Sequence, residues 1–174
     1  MMWYTHTLLG INSLWLLALL PPEADSGKIA ALSVCAAFGA LLPDLDAAES
    51  KVKHLHLSGL KPFELPATLL HQTLGHRGLI HSLLGLTGFS LATIPLSLHL
   101  GWQSAVALIL GYASHLAADA ATRSGIPLLY PRPKRYHLLP RSWRFITGSQ
   151  AEEVLFAVAA AATLLLLFSH LPFS

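Results

Sequence analysis

The stretch that decides the fold is residues 78–118, GLIHSLLGLTGFSLATIPLSLHLGWQSAVALILGYASHLAA, which contains no Asp, Glu, Lys or Arg. Its 41 residues are too many for one membrane helix, which needs about 20 apolar residues. The stretch holds Pro95 and then His99-Leu100-Gly101, so we predict a tight hairpin there. Two membrane helices follow from it, at about 78–98 and 102–122.

Three further segments lack these charged residues, at 1–22, 29–43 and 154–174. They predict helices at about 2–21, 27–43 and 152–171. Hydrophobic residues make up 53% of the 174-residue chain and charged residues only 11%, against roughly 25% in soluble domains. We therefore predict an all-α, polytopic membrane bundle of about five transmembrane helices, forming a single domain over residues 1–174. A buried soluble helical bundle is the alternative.

The basic residues are unevenly distributed over this topology. One face would carry all but one of the 11 Lys and Arg residues, and the other would carry only Lys28. The crowded face holds Lys51, Lys53, Lys61, Arg77, Arg123, Arg132, Lys134, Arg135, Arg141 and Arg144. The positive-inside rule then places the large loops in the cytoplasm. A net charge of +2 predicts no nucleic-acid partner.

Ionisable residues gather at the predicted helix ends. Placing an ionisable side chain at or near membrane depth costs free energy, so such residues indicate functional sites by default. The topology puts all of them at the same face, where we predict a site for one or two divalent metal ions. The expected ligands are His6, Asp44, Asp46, His76, His81, His115 and Asp119.

The local spacing agrees with this interpretation. His115 and Asp119 are four residues apart, so both project from one side of a helix. Taken singly, each residue has a simpler explanation: Asp44 and Asp46 follow Pro43 as in a turn, and His81 would suit a hydrogen-bonded buried imidazole. The ligand set is all nitrogen and oxygen, which favours Zn²⁺, with Mn²⁺ or Fe²⁺ as alternatives.

Sequence blocks occur at residues 5–10, 41–46 with Ser50, 75–78 with 81–82, 111–115 with Asp119 and Thr122, 125–131 and 148–152. Together these blocks resemble the YdjM-like family of membrane-bound, metal-dependent hydrolases. More distantly, the chain resembles the zinc-dependent phospholipase C type, in which His-x-x-x-Asp on a helix contributes to a multi-metal site. The resemblance implies a metal-dependent hydrolase of a bacterial-type inner membrane. One departure is Ala47, where relatives often have His.

The expected chemistry is attack by metal-activated water on a phosphoester of a membrane lipid or polyprenyl substrate at the cytoplasmic face. Arg77 would hold a phosphate oxygen with its guanidinium, and Glu152 would act as a ligand or general base. The loop bearing Arg132, Lys134 and Arg135 would meet anionic headgroups or serve only as a positive-inside anchor. The competing class is a non-enzymatic metal-binding sensor or transporter. Transport is disfavoured because the middles of the predicted spans carry no charged residue.

Overall fold

The computed structural model describes residues 1–16, 25–44 and 78–169. Five α-helices lie in these ranges: α1 (Trp3–Leu16), α2 (Ser26–Leu41), α3 (Leu83–Leu100), α4 (Trp102–Ala120) and α5 (Gln150–Ser169). Two short 3₁₀ helices, Leu42–Asp44 and Arg141–Trp143, accompany them. The described ranges contain two isolated β-bridges and no strand, so the predicted all-α class is confirmed there.

Helix α3 begins later than its charge-free sequence predicted. Ser82 has an extended backbone, and its hydroxyl accepts a hydrogen bond from the Gly85 N–H at 3.2 Å. This cap satisfies one of the free N–H groups of the first turn and fixes the helix start at Leu83. The predicted start at residue 78 is therefore wrong, and His81 lies in the turn before the helix.

The predicted hairpin forms at Gly101, whose φ of 81° is a conformation that glycine adopts without strain. Helix α3 continues through Pro95 and ends at Leu100. Helix α2 gives way at Leu42 to the 3₁₀ helix that ends at Asp44. Gly101 at the hairpin and Asp44 after α2 therefore lie close to their predicted positions in the fold.

Helices α1, α2 and α4 pack on one another, while α3 packs on α4 and α5 packs on α1. The contact between α2 and α4 depends on two glycines. A Cβ atom at Gly39 would collide with the Leu108 backbone, and one at Gly111 would collide with the Ala36 carbonyl. Small residues permit such close backbone approach, as in many membrane helix pairs.

A polar contact joins α1 to α5 inside the bundle. The Asn12 side-chain amide donates to the Ala159 carbonyl at 3.0 Å and to the Thr163 hydroxyl at 2.8 Å. All three residues are buried. Hydrogen bonds of this kind link helices whose remaining contacts are apolar.

The outer helices present large apolar side chains outwards. Leu98 on α3 is 83% exposed, and Leu165 on α5 is 72% exposed. In the described part of the chain, the stretches Ser26–Asp44 and Leu83–Leu100 are long and apolar enough to cross a membrane. The all-helical class and two candidate spans are thus established, and the five-span topology stays a prediction.

Candidate metal centre

Four separate segments deliver histidine and aspartate side chains to one place. His6 comes from the first turn of α1, Asp44 from the end of the 3₁₀ helix, and His81 from the turn before α3. His115 and Asp119 come from the last turns of α4. Apart from Asp44, these residues are buried. The structure brings together these five predicted ligands.

The ring of His115 is oriented by a backbone carbonyl. Its Nδ1 lies 2.7 Å from the Ala40 oxygen, which can only accept a hydrogen bond, so Nδ1 carries the hydrogen. In the neutral ring, Nε2 then keeps its lone pair and faces the other site residues. This arrangement is typical of metal-binding histidines, whose second nitrogen donates to a carbonyl or carboxylate.

The donor atoms around His115 Nε2 are spaced as metal ligands are. His81 Nε2 lies 3.3 Å away, close to the roughly 3.3–3.4 Å expected between two nitrogens bound tetrahedrally to zinc at about 2.0–2.1 Å. His81 Nε2 is 3.5 Å from Asp44 Oδ1. Asp119 Oδ2 lies 3.7 Å from both Nε2 atoms. The donor atoms of Asp44, His81 and His115 all lie within 4.8 Å of one another, near enough to bind one ion.

The second oxygen of Asp119 faces a different partner. Oδ1 lies 3.2 Å from His6 Nε2 and 2.5 Å from the Met1 nitrogen. The His6 ring stacks on His115 with centroids 3.7 Å apart. His6, His115 and Asp119 therefore form a second potential metal-binding group, which overlaps the group of Asp44, His81 and His115.

Unpaired imidazole nitrogens test whether a metal fits. Among the described residues, Nδ1 of His6 and Nδ1 of His81 are buried without a hydrogen-bond partner. His6 Nε2 is also buried, and it lies 3.2 Å from Asp119 Oδ1 without the geometry of a hydrogen bond. Buried polar atoms are nearly always hydrogen-bonded, and an ion is one of the explanations for an exception. Imidazole and carboxylate donors together suit a divalent cation such as Zn²⁺. The residues present therefore fit a metal.

The turn that carries His81 is fixed by contacts that the sequence analysis did not anticipate. The Tyr112 hydroxyl donates to the Ile80 carbonyl at 2.6 Å, and the Leu83 N–H donates to the Leu128 carbonyl at 2.9 Å. Tyr112 and His115 are three residues apart on α4, a spacing that puts both on one side of the helix. The acceptors of these two hydrogen bonds are backbone carbonyls, so the amino-acid sequence alone does not reveal them.

Glu152 belongs to neither of these two groups. It is fully buried. One carboxylate oxygen accepts the Met2 N–H at 2.6 Å, and the other accepts the Gly148 N–H at 2.7 Å. Both oxygens therefore hold backbone groups in place, while the predicted role of Glu152 as ligand or general base stays a prediction.

The remaining predicted residues, Asp46, His76 and Arg77, lie outside the described residues. His81 lies before α3, which begins at Leu83, so its four-residue spacing from Arg77 does not place it on a helix face.

One protein family matches almost the whole chain. The YdjM inner membrane protein family matches residues 1–173. The chain belongs to this family. Inner membrane protein YdjM of Escherichia coli (strain K12) is 37% identical over 102 residues, covering 56% of this chain and 48% of that protein. The Shigella flexneri protein of the same name matches to the same extent.

A more distant relative comes from a different organism. The uncharacterized protein YvsG of Bacillus subtilis (strain 168) is 32% identical over 129 residues, covering 72% of this chain and 71% of that protein. The chain spans about half the length of the two YdjM proteins that it matches. No solved structure matches the chain.

Proposed function

We propose that this protein is a polytopic inner-membrane hydrolase that uses a divalent metal centre to cleave a phosphoester of a membrane lipid or polyprenyl substrate. One observation carries the proposal. Three buried histidines and two aspartates converge from four chain segments, and several of the imidazole nitrogens have no hydrogen-bond partner among the described residues. An apolar bundle has no structural need for such a cluster.

The membrane part of the proposal rests on family membership and on the outer helix faces. The family is described as an inner membrane protein family, and α3 and α5 expose leucines and valines that hydrocarbon would cover. The excess of Lys and Arg in the large loops favours a cytoplasmic location for the site.

Each site residue then has a task that its contacts support. The lone pairs of His81 and His115, with the oxygens of Asp44 and Asp119, would hold a cation whose charge the two aspartates balance. Such a cation lowers the pKa of water towards about 7 and so supplies a nucleophile. Ala40 holds the His115 ring in position, and Glu152 holds the backbone at Met2 and Gly148. On these contacts, Glu152 is a positioning residue.

A substrate would reach the metal centre from the side where Asp44 lies. Its side chain is 23% exposed, whereas the side chains of His6, His81, His115 and Asp119 are at most 5% exposed. Asp44 follows the last turn of the α2 segment, where a span would reach the headgroup region. A substrate whose scissile group lies at headgroup depth would reach the centre there.

Deep burial of His6 and His115 favours a second candidate, in which the metal is purely structural and the protein is not an enzyme. Both candidates require bound metal, and only the first requires turnover. The two are therefore separated by measuring both properties on the same preparation.

The test is metal analysis of the purified full-length chain, with turnover measured on three lipids in mixed micelles. Cleavage is followed as phosphate release from phosphatidic acid and polyprenyl phosphate, and as release of glycerol phosphate or glycerol from phosphatidylglycerol. We expect about one or two divalent ions per chain and loss of both metal and turnover in His115→Gln and Asp119→Asn. His99→Gln is the matched control, since His99 is exposed at the far hairpin. A wild-type protein that takes up no metal would overturn the proposal, and metal without turnover on any of these lipids would leave the structural role.

A further inference from the structure

Three arginines line a cleft formed by the long loop between α4 and α5. The cleft has a volume of about 280 Å³ and is lined by Arg123, Arg141 and Arg144. This volume is near the lower end of the roughly 300–1,000 Å³ typical of ligand pockets.

Backbone pairing holds these arginines together. The Arg123 N–H donates to the Phe145 carbonyl at 2.9 Å, and the Phe145 N–H donates to the Ala121 carbonyl at 3.1 Å. Arg144 donates from Nε to the Leu139 carbonyl at 3.0 Å. That bond orients the guanidinium and leaves its terminal nitrogens available for a ligand.

The loop contains no acidic residue to neutralise these charges. Residues 120–151 include six Lys or Arg residues and no Asp or Glu. Within the described ranges, no ion pair involves the three cleft arginines. Three like charges held together repel one another, and a bound anion relieves this repulsion. Guanidinium groups match phosphate oxygens with paired N–H donors.

We propose that the cleft between Arg123, Arg141 and Arg144 binds the phosphate group of an anionic ligand. The same chemistry is offered by a lipid headgroup and by free phosphate. Leu138 and Trp143 near the cleft are 67% and 74% exposed, and tryptophan is enriched at the membrane–water interface. The inference goes beyond the proposed hydrolase, because it concerns binding and requires neither metal nor turnover.

The experiment is calorimetric titration of the purified full-length chain in a neutral detergent. The probes are inorganic phosphate, dihexanoyl phosphatidic acid and dihexanoylglycerol, which has the same tails without phosphate. The cleft variant is Arg123→Gln/Arg141→Gln/Arg144→Gln. The comparison variant is Arg132→Gln/Lys134→Gln/Arg135→Gln. It removes the same charge from the same loop and tests the general contact with headgroups that the sequence allows for those three residues. Each set includes one arginine that donates to a loop carbonyl.

We expect phosphatidic acid to bind the wild type, and the cleft variant to bind it at least about tenfold more weakly, equivalent to ~1.4 kcal/mol. The comparison variant should lose less than about threefold, since distant exposed charges act only weakly through solvent. Tighter binding of the lipid than of inorganic phosphate would identify a headgroup site, and equal binding a free-phosphate site; both support the proposal.

Equal weakening in the two variants would overturn the proposal in favour of general attraction to the loop. Equal binding of dihexanoylglycerol and phosphatidic acid, or no binding of either phosphate probe, would also overturn it. Should the triple variant fail to fold, Arg141→Gln is compared with Arg132→Gln. Both side chains are exposed, and only Arg141 lines the cleft, so only its replacement should weaken binding.

Discussion

His115 offers the centre a single lone pair. Its Nδ1 donates to Ala40, so only Nε2 is free to bind an ion. The two donor groups that share His115 therefore cannot both use it. Because His81 Nε2 is only 3.3 Å away, we assign His115 to the ion on the His81 side. His6 and Asp119 Oδ1 would then hold a second ion, more weakly.

This assignment predicts unequal effects of two histidine replacements. His81→Ala should weaken binding of the tighter ion by at least the roughly 10–100-fold known for loss of a ligand's outer hydrogen-bonding partner. His6→Ala should retain that ion and lose only the weaker one. The measurement is a metal titration against a competing chelator, with His99→Ala as the control. Equal losses in the two variants would contradict the assignment.

For single residues, the sequence predicted the candidate metal ligands better than it predicted the hydrogen bonds that orient them. His6, Asp44, His81, His115 and Asp119 could be recognised because ionisable residues stand out at apolar helix ends. The Ala40 and Ile80 carbonyls that orient His115 and the His81 turn could not, since every residue has a carbonyl. The bonds from Glu152 to the backbone at Met2 and Gly148 were hidden for the same reason.

Among the helices, the contact between α2 and α4 positions the site. Gly39 and Gly111 let the two backbones touch, which brings Ala40 within reach of His115. We expect Gly39→Ala or Gly111→Ala to destabilise the protein by about 1–3 kcal/mol, the usual cost of forcing extra atoms into a packed interior. The measurement is unfolding of the purified protein in denaturing detergent.

Gly88→Ala is the matched control for this prediction. Gly88 lies within α3, and a Cβ there would meet no atom within 4 Å. The same substitution should therefore stabilise the protein by roughly 0.5–1 kcal/mol, because alanine loses less backbone entropy in a helix. Destabilisation of a similar size at Gly88 and Gly39 would show that close packing is not the cause.

The five helices of the described ranges could be predicted from the sequence, but the start of α3 could not. Charge-free runs mark apolar segments without specifying where the backbone begins to coil. The start of α3 at Leu83 depends on the Ser82 hydroxyl. Pro95 did not end that helix; it is tolerated on an exposed face, where the missing N–H costs one hydrogen bond.

For the whole molecule, a metal centre assembled from four chain segments would bind cations in the folded protein and not in the unfolded chain. Chelation should therefore lower the unfolding temperature. The loss would be about 4 kcal/mol where free metal was a thousandfold above its dissociation constant, at roughly 2–4 °C per kcal/mol. Thermal unfolding with EDTA, and then with Zn²⁺ restored, measures this. His115→Gln is the control and should not respond; an unchanged wild-type midpoint would count against a bound metal.

The proposed topology makes a separate prediction about sidedness. With five spans and cytoplasmic large loops, reporter fusions after Pro131 and after Ser174 should report opposite compartments. The physical reason is the retention of Lys- and Arg-rich loops on the cytoplasmic side. An alkaline phosphatase fusion and a fluorescent protein fusion at each position give complementary readouts. The same compartment at both positions would show that α5 does not cross the membrane and would contradict the five-span topology.

The unequal partnering of the helices also governs how this sequence can drift over evolutionary time. Helices α3 and α5 each pack on one neighbour, while α1, α2 and α4 pack on one another. Positions such as Leu98 and Leu165 face outwards. They need only remain apolar, so many apolar residues are interchangeable there. Positions such as Gly39 and Gly111 are restricted by size. Divergent descendants should therefore vary fastest on the two outer helices and slowest along the glycine contact.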